Sequence, residues 1–189
     1  MEPSPAVSTS PAPSPDQARA VLPDAGLLAR GLAVLRIFFG VILFANGLAK
    51  LLSFRDISIG PYEANLIDRG LARAILENEA ARTELPVIPW IAEDVLLAQW
   101  GFFQWAITAM ELGVGALLIV GLATRGAALV GLGQQLFLAG LYFSSNRWAF
   151  EQPHEYVPLA ILSLVPAGRA WGLDGRLIAR RPGLRRWPF

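Results

Sequence analysis

Four polar side chains lie deep inside apolar stretches of this sequence: Arg36, Glu111, Gln134 and Gln135. Ionised groups at membrane depth cost roughly 2.5–3.5 kcal/mol apiece on insertion scales, so each needs a partner or a task. At a rise of about 1.5 Å per residue, counting from the inner ends of their segments puts all four about 12–17 Å above the inner boundary. Ser163 falls near the same level. A buried guanidinium prefers a carboxylate, and a glutamine amide can complete the set. The expectation is an Arg36–Glu111 pair facing the interior, with Gln134 or Gln135 beside it. Such a network either fixes helix register alone or lines a cavity for a polar headgroup, such as a quinone ring or a small anion.

A second polar group lies nearer the opposite end. Asn46 and Lys50 are four apart and share a helix face, and Arg36 lies close to that face too. Gln104 precedes Glu111 by seven and shares its face, while Tyr142, His154 and Glu155 fall at a similar outer depth. In the plainest account Lys50 snorkels to the interface and His154 caps a helix. In the alternative they converge on an outward-facing pocket whose imidazole exchanges protons with bound substrate.

Much chemistry is excluded. The chain has no cysteine, which removes thiol exchange, thiolate metal sites, iron–sulfur clusters and covalent haem attachment. One histidine, Met1 and Met110 do not give a haem two strong axial ligands from this chain. There is no Ser–His–Asp order and no metal-ligand spacing, so no metal is expected. The glycines of ELGVGALLIVG follow no strand and make no dinucleotide fingerprint. A net charge of +1 with no broad basic face gives no sign of nucleic-acid binding. Any redox role needs a bound organic cofactor or a partner subunit.

The elements that must position these residues follow from composition. The 189 residues are 54% hydrophobic and only 16% charged, against about 25% charged in soluble domains. So few charges cannot cover a globular surface, and lipid must be the solvent for part of it. Four apolar segments are each near the ~20 residues that cross ~30 Å of hydrocarbon. They run over about 27–54, 95–122, 126–145 and 156–171, the last interrupted by Pro158 and Pro166. Stretches such as IFFGVILFA and GALLIVGLA are apolar on every face, unlike the amphipathic core helices of soluble proteins. The fold class expected is an all-α membrane protein, a four-transmembrane-helix bundle over 25–178. Residues 1–24 read as a retained, disordered Pro/Ser-rich tail, and 179–189 as a basic tail.

Arginines cluster on one side when four spans are threaded, which places both termini in the cytoplasm. Trp90, Trp148 and Phe150 then fall at the outer interface and Trp171 at the inner. The outer loop, 55–94, contains NLIDRGLARAILENEAAR, whose Leu66, Ile67, Leu71, Ile75 and Leu76 recur at helical intervals. An amphipathic helix is expected there, as a plain connector, a lid over an external cavity or a docking surface. Small residues at four-residue spacing, Ala109 with Gly113 and Ala127 with Gly131, are expected to let spans approach closely.

These residues resemble a known family. LRIFFGVILFANGLAKLL, with Arg36, Gly47 and Lys50, is similar to the opening of DoxX/DoxD-like membrane proteins. ELGVGALLIVGLATR, PHEYVPLAI and the closing PAGRAWGLDGRL resemble that family's later signatures, so the likeness covers about 30–178. The long acidic first loop and the Pro-rich tail depart from its pattern. The resemblance implies a four-helix bundle in a bacterial or archaeal cytoplasmic membrane, often partnered with redox proteins. One branch of the family is the small subunit of a thiosulfate:quinone oxidoreductase. Without cysteine, any sulfur chemistry here falls to a partner or to the substrate itself, so a thiosulfate substrate is not carried over.

The leading expectation is a membrane subunit of a quinone-linked electron-transfer complex, not an enzyme on its own. Its expected partners are membrane lipid and other membrane or redox subunits. A non-catalytic scaffold of a larger complex is the alternative. A small-solute transporter is third, and it requires a continuous polar stripe along the first span.

Overall fold

The computed structural model describes residues 24–148, 150–181, 183 and 186–189. Most of the proline-rich tail read over 1–24, and part of the basic tail, lie outside them. The fold is mostly helical. Helix α1 (Ala25–Leu52) starts at Asp24, whose carboxylate accepts the Gly26 N–H, and ends at Ser53 in the left-handed region, φ 58°. Helix α4 (Trp100–Val120) is the other long apolar element. These two are long and apolar enough to cross a membrane, and most of each helix lies outside the packed interior. Val34, Phe38, Phe102 and Trp105 point outward. A soluble core helix would bury such residues, so their exposure marks a lipid-facing surface.

α1 and α4 pack closely, and glycines set their register. A Cβ on Gly115 would lie 2.5 Å from the Phe44 amide nitrogen, and one on Gly47 would lie 2.8 Å from the Leu112 amide nitrogen. These contacts are backbone to backbone, so only glycine allows them. Gly113, by contrast, has nothing within 4 Å, so the expected Ala109–Gly113 contact is replaced by Gly40, Gly47 and Gly115. Ala127 and Gly131 do pack inward, Gly131 against Val114, Leu43 and Leu159.

Helix α5 (Thr124–Leu141) follows a tight turn at Gly121, φ 69°, and α6 (Pro153–Leu164) returns along it. The apolar pattern carries the fourth span to Trp171. The helix instead stops at Val165, whose extended backbone precedes Pro166, since a residue before proline is driven out of the helical region. A short 3₁₀ turn (Ala167–Arg169) and helix α7 (Leu173–Arg180) close that end. Phe39, Leu43, Val114, Leu118, Ala128, Leu159 and Leu162 form the main core.

The loop 55–94 is more structured than a single helix. Strands β1 (Asp56–Ile59) and β2 (Tyr62–Asn65) make an antiparallel hairpin that the sequence reading did not anticipate, turning at Gly60 with φ 61°. Helix α2 (Arg69–Ala80) matches the expected amphipathic segment. It is capped by Asp68, which accepts the Leu71 N–H at 2.7 Å and the Arg55 Nε–H at 2.8 Å. The Arg55 hydrogen bond, then the Leu71 amide, hold the Asp68 carboxyl below the usual carboxylate range. Leu76 and Ala80 pack on Ala92 and Leu141, which ties α2 to the wall of the bundle. Helix α3 (Val87–Trp90) runs into a π-helical stretch, Ile91–Leu97, before α4.

Candidate functional site

The buried carboxylate of Glu111 meets a lysine, not the arginine expected from sequence. Lys50 Nζ lies 2.8 Å from Glu111 Oε2, and Gln134 Nε2 donates to Glu111 Oε1 at 2.8 Å. Both charged side chains are nearly enclosed, at 4% and 6% exposure. Oε2 faces only the Lys50 ammonium among the described residues, and a carboxylate oxygen has two lone pairs, so it keeps capacity for another donor. Three elements therefore converge on one carboxylate: the C-terminal part of α1, the middle of α4 and the middle of α5.

Arg36 sits in a separate cluster at the other end. Its guanidinium is fully buried, and NH2 donates to the Trp171 carbonyl at 3.1 Å. The expected Arg36–Glu111 pair does not form, and the cause is register. The count from span ends assumed that α1 and α4 begin at one level. The Gly40–Gly115 and Gly47–Leu112 contacts instead place Arg36 beside Gly121, at the end of α4. The first turns of α1 extend past that end.

Around Arg36 the closing segment makes a polar knot. Asp174, fully buried, accepts the Ala123 N–H at 2.7 Å and the Thr124 N–H at 3.1 Å, capping α5. Its own N–H donates to Gly121 O at 2.8 Å. Ala123, φ 47°, and Trp171, φ 50°, hold left-handed backbone in this knot. A Cβ on Gly121, Gly168 or Gly172 would collide with Arg36, Thr124 or Asp174. Sequence reasoning missed Asp174 and Trp171 as partners here. The available hint was the lone acid in GRAWGLDGRL, opening a short helix among basic residues. Replacing Asp174 by alanine is expected to cost at least the ~0.5–2 kcal/mol of a lost helix cap, read as a lower melting temperature.

The remaining candidates divide. Asn46 Oδ1 accepts the Ile67 N–H at 3.4 Å, pinning the loop 55–94 to α1. Gln104 bonds within its own helix, to Gly101 O at 3.5 Å, and its carbonyl accepts the Thr108 hydroxyl at 2.6 Å. Gln135 Oε1 is buried without a partner among the described residues, and Gln135 does not line the cavity described next. His154 is exposed, with Nδ1 3.1 Å from Phe150 O at the start of α6, so it lies where a helix-end contact puts it.

A cavity of about 530 Å³ opens above the Lys50–Glu111–Gln134 floor. Its walls are Ile75 and Leu76 of α2, Leu96 of the π stretch, Phe103 and Met110 of α4, and Phe137 of α5. Tyr142, Arg147, Glu151, Gln152 and Glu155 also line it. The residues of α2 thus form one wall, and Glu79 fastens that helix. Its carboxylate takes the Ser145 hydroxyl and lies 3.6 Å from Arg147, while the Thr83 hydroxyl donates to Gly140 O at 2.9 Å. A space of a few hundred Å³ with apolar walls and a few convergent polar groups is the form small-molecule sites usually take. Its polar floor and apolar walls suit an amphiphile with hydrogen-bonding groups at one end. Among the described residues no group of three or more His, Asp or Glu could hold a metal ion.

Long apolar helices with outward apolar faces define an integral membrane protein. The DoxX family model matches residues 31–144, from the first turns of α1 to just past α5. The chain belongs to the DoxX family. No curated protein matches the chain. No solved structure matches it either.

Proposed function

We propose that the chain is the membrane subunit of an electron-transfer complex and that its cavity receives the headgroup of a quinone. The carrying observation is the enclosed Lys50–Glu111–Gln134 cluster at the floor of an apolar-walled space. A quinone supplies two-electron, two-proton redox chemistry when bound. Lys50 would donate to a carbonyl oxygen, and the spare capacity of Glu111 Oε2 would exchange a proton with the ring oxygen beside it. Phe103, Met110 and Phe137 would exclude water and flank the ring and the first part of its tail.

In this reading four helices span the membrane, α1, α4, α5 and α6, with both termini in the cytoplasm. Arg30, Arg125, Arg169, Arg176 and Arg180 gather at one end of the bundle, and the arginines of the opposite end are offset by acids. Helix α6 has 12 residues, about 18 Å, and needs the Pro166 turn and α7 to complete the crossing. The electron donor or acceptor is then a partner subunit, since the sequence has no cysteine for thiol or iron–sulfur chemistry.

A transport path is disfavoured by the same geometry. Arg36 and Lys50 are separated along α1 by buried Phe39 and Leu43, so no polar stripe joins them. The scaffold reading draws on the exposed apolar hairpin tip, Ile59 and Tyr62, as a docking element.

Extraction in mild detergent followed by quinone assay of the purified protein tests the proposal. Quinone in stoichiometric amount, together with a redox subunit, is the expected result. Should neither co-purify, the reading falls and the scaffold account stands in its place.

A further inference from the structure

A second, open cleft lies at the opposite end of the bundle from the quinone cavity. It has a volume of about 740 Å³ and is lined by Val120, Arg169, Trp171, Leu173 and Arg176, with Gly172 and Gly175 in its floor. We propose that this cleft binds the phosphate of an anionic phospholipid, with its acyl chains lying against the adjoining apolar surface.

Three observations converge. Arg169 and Arg176 both line one space, Arg176 with an exposed side chain, and guanidinium is well suited to planar, bidentate recognition of phosphate. Arg36 adds a third positive charge from beneath. It is buried, its NH2 sits on the Trp171 carbonyl, its Nε and NH1 have no hydrogen-bond partner among the described residues, and a Cβ on Gly172 would strike it. Asp174, the buried acid whose charge acts on Arg36, does not line the cleft, and its oxygens accept the two N–H groups that it caps.

The third observation selects a lipid over a free anion. Val120, Trp171 and Leu173 are exposed beside the arginines, Trp171 at 64%. A dissolved phosphate has no use for that surface, whereas a phospholipid covers it. The setting agrees: α7 buries Ile178 and turns Arg176 and Arg180 outward, as an interfacial helix does.

Native mass spectrometry of the full chain in detergent, with phosphatidylglycerol or phosphatidylcholine added, tests this. Phosphatidylglycerol should be retained preferentially. Retention should fall about tenfold for each charge-assisted contact removed, in R176Q and further in R169Q/R176Q. R180Q, outside the cleft, should behave as the parent does. If the double variant loses its fold, R176Q and R180Q still separate the outcomes. Equal retention in R176Q and parent, or equal retention of the two lipids, would overturn the proposal. So would inorganic phosphate displacing phosphatidylglycerol at low concentration, which would assign the cleft to a free anion.

Discussion

Replacing Lys50 by methionine should destabilise the protein by about 3–5 kcal/mol, because it strands the Glu111 carboxylate in a low-dielectric interior. The pair is nearly sealed from solvent, and Gln134 alone cannot neutralise the charge. Removing both charges should behave differently. K50M/E111L swaps the ion pair for apolar side chains of similar length, a change that is often neutral for stability. Most of the loss should therefore be recovered in the double variant, measured by denaturation in mixed micelles. Quinone binding should be absent from the single and the double variant alike. That split separates a structural role from a ligand-binding one: recovered stability with retained quinone would leave the pair as packing only. R36M is the matching control. It disturbs the knot at the far end, so it should lower stability without altering quinone affinity.

Gly115→Leu is expected to be the most disruptive small-to-large change in the bundle. A Cβ there already meets Phe44 N at 2.5 Å and Gly40 O at 2.8 Å, both backbone atoms that cannot rotate away. Overpacking in a well-packed core typically costs ~1–3 kcal/mol, and forcing two helices apart exceeds that. Separation of α1 from α4 would also pull Lys50 from Glu111, so quinone binding should fail with the fold. Gly113→Leu, two residues away, points into open space and should shift stability by no more than ~0.5 kcal/mol. Thermal melts of the two purified variants give the comparison. Equal melting temperatures would show that the glycine contacts do not set the register.

The contrast between Gly113 and Gly115 also explains what the sequence could and could not disclose. All-round apolar character identified α1 and α4 as lipid-facing, because a helix in lipid needs no polar face. The spacing of Leu71, Ile75 and Leu76 identified α2 for the opposite reason, since that helix has one wet face. Both signals are local. Which small residue faces a neighbour is a tertiary property, so four-residue spacing alone singled out Ala109–Gly113 and passed over Gly115. The same limit misplaced Arg36. Its level was counted from the end of its own helix, while its partners, Trp171 and Gly121, are set by how the closing segment folds back. Glu111 and Gln134 were brought together as expected, because their near-equal distance from the short α4–α5 turn fixes their levels on adjoining helices. Lys50 and Asn46 share one end of α1, but only the close packing of α1 and α4 brings Lys50 to the carboxylate. The hairpin went unrecognised although Gly60–Pro61 is a turn pair between Ile59 and Tyr62, since its strands are only four residues each.

Photolabelling in native membranes with an azido-substituted quinone, mapped by peptide mass spectrometry, addresses the cavity itself. Label on the segments carrying Phe103, Met110 and Phe137, competed away by excess unmodified quinone and lost in K50M/E111L, is the predicted result. Label confined to outward residues such as Val34, Phe38 and Phe102, unchanged by competitor, would mean that the quinone only dissolves in the surrounding lipid. The Lys50–Glu111–Gln134 cluster would then be a packing device and nothing more.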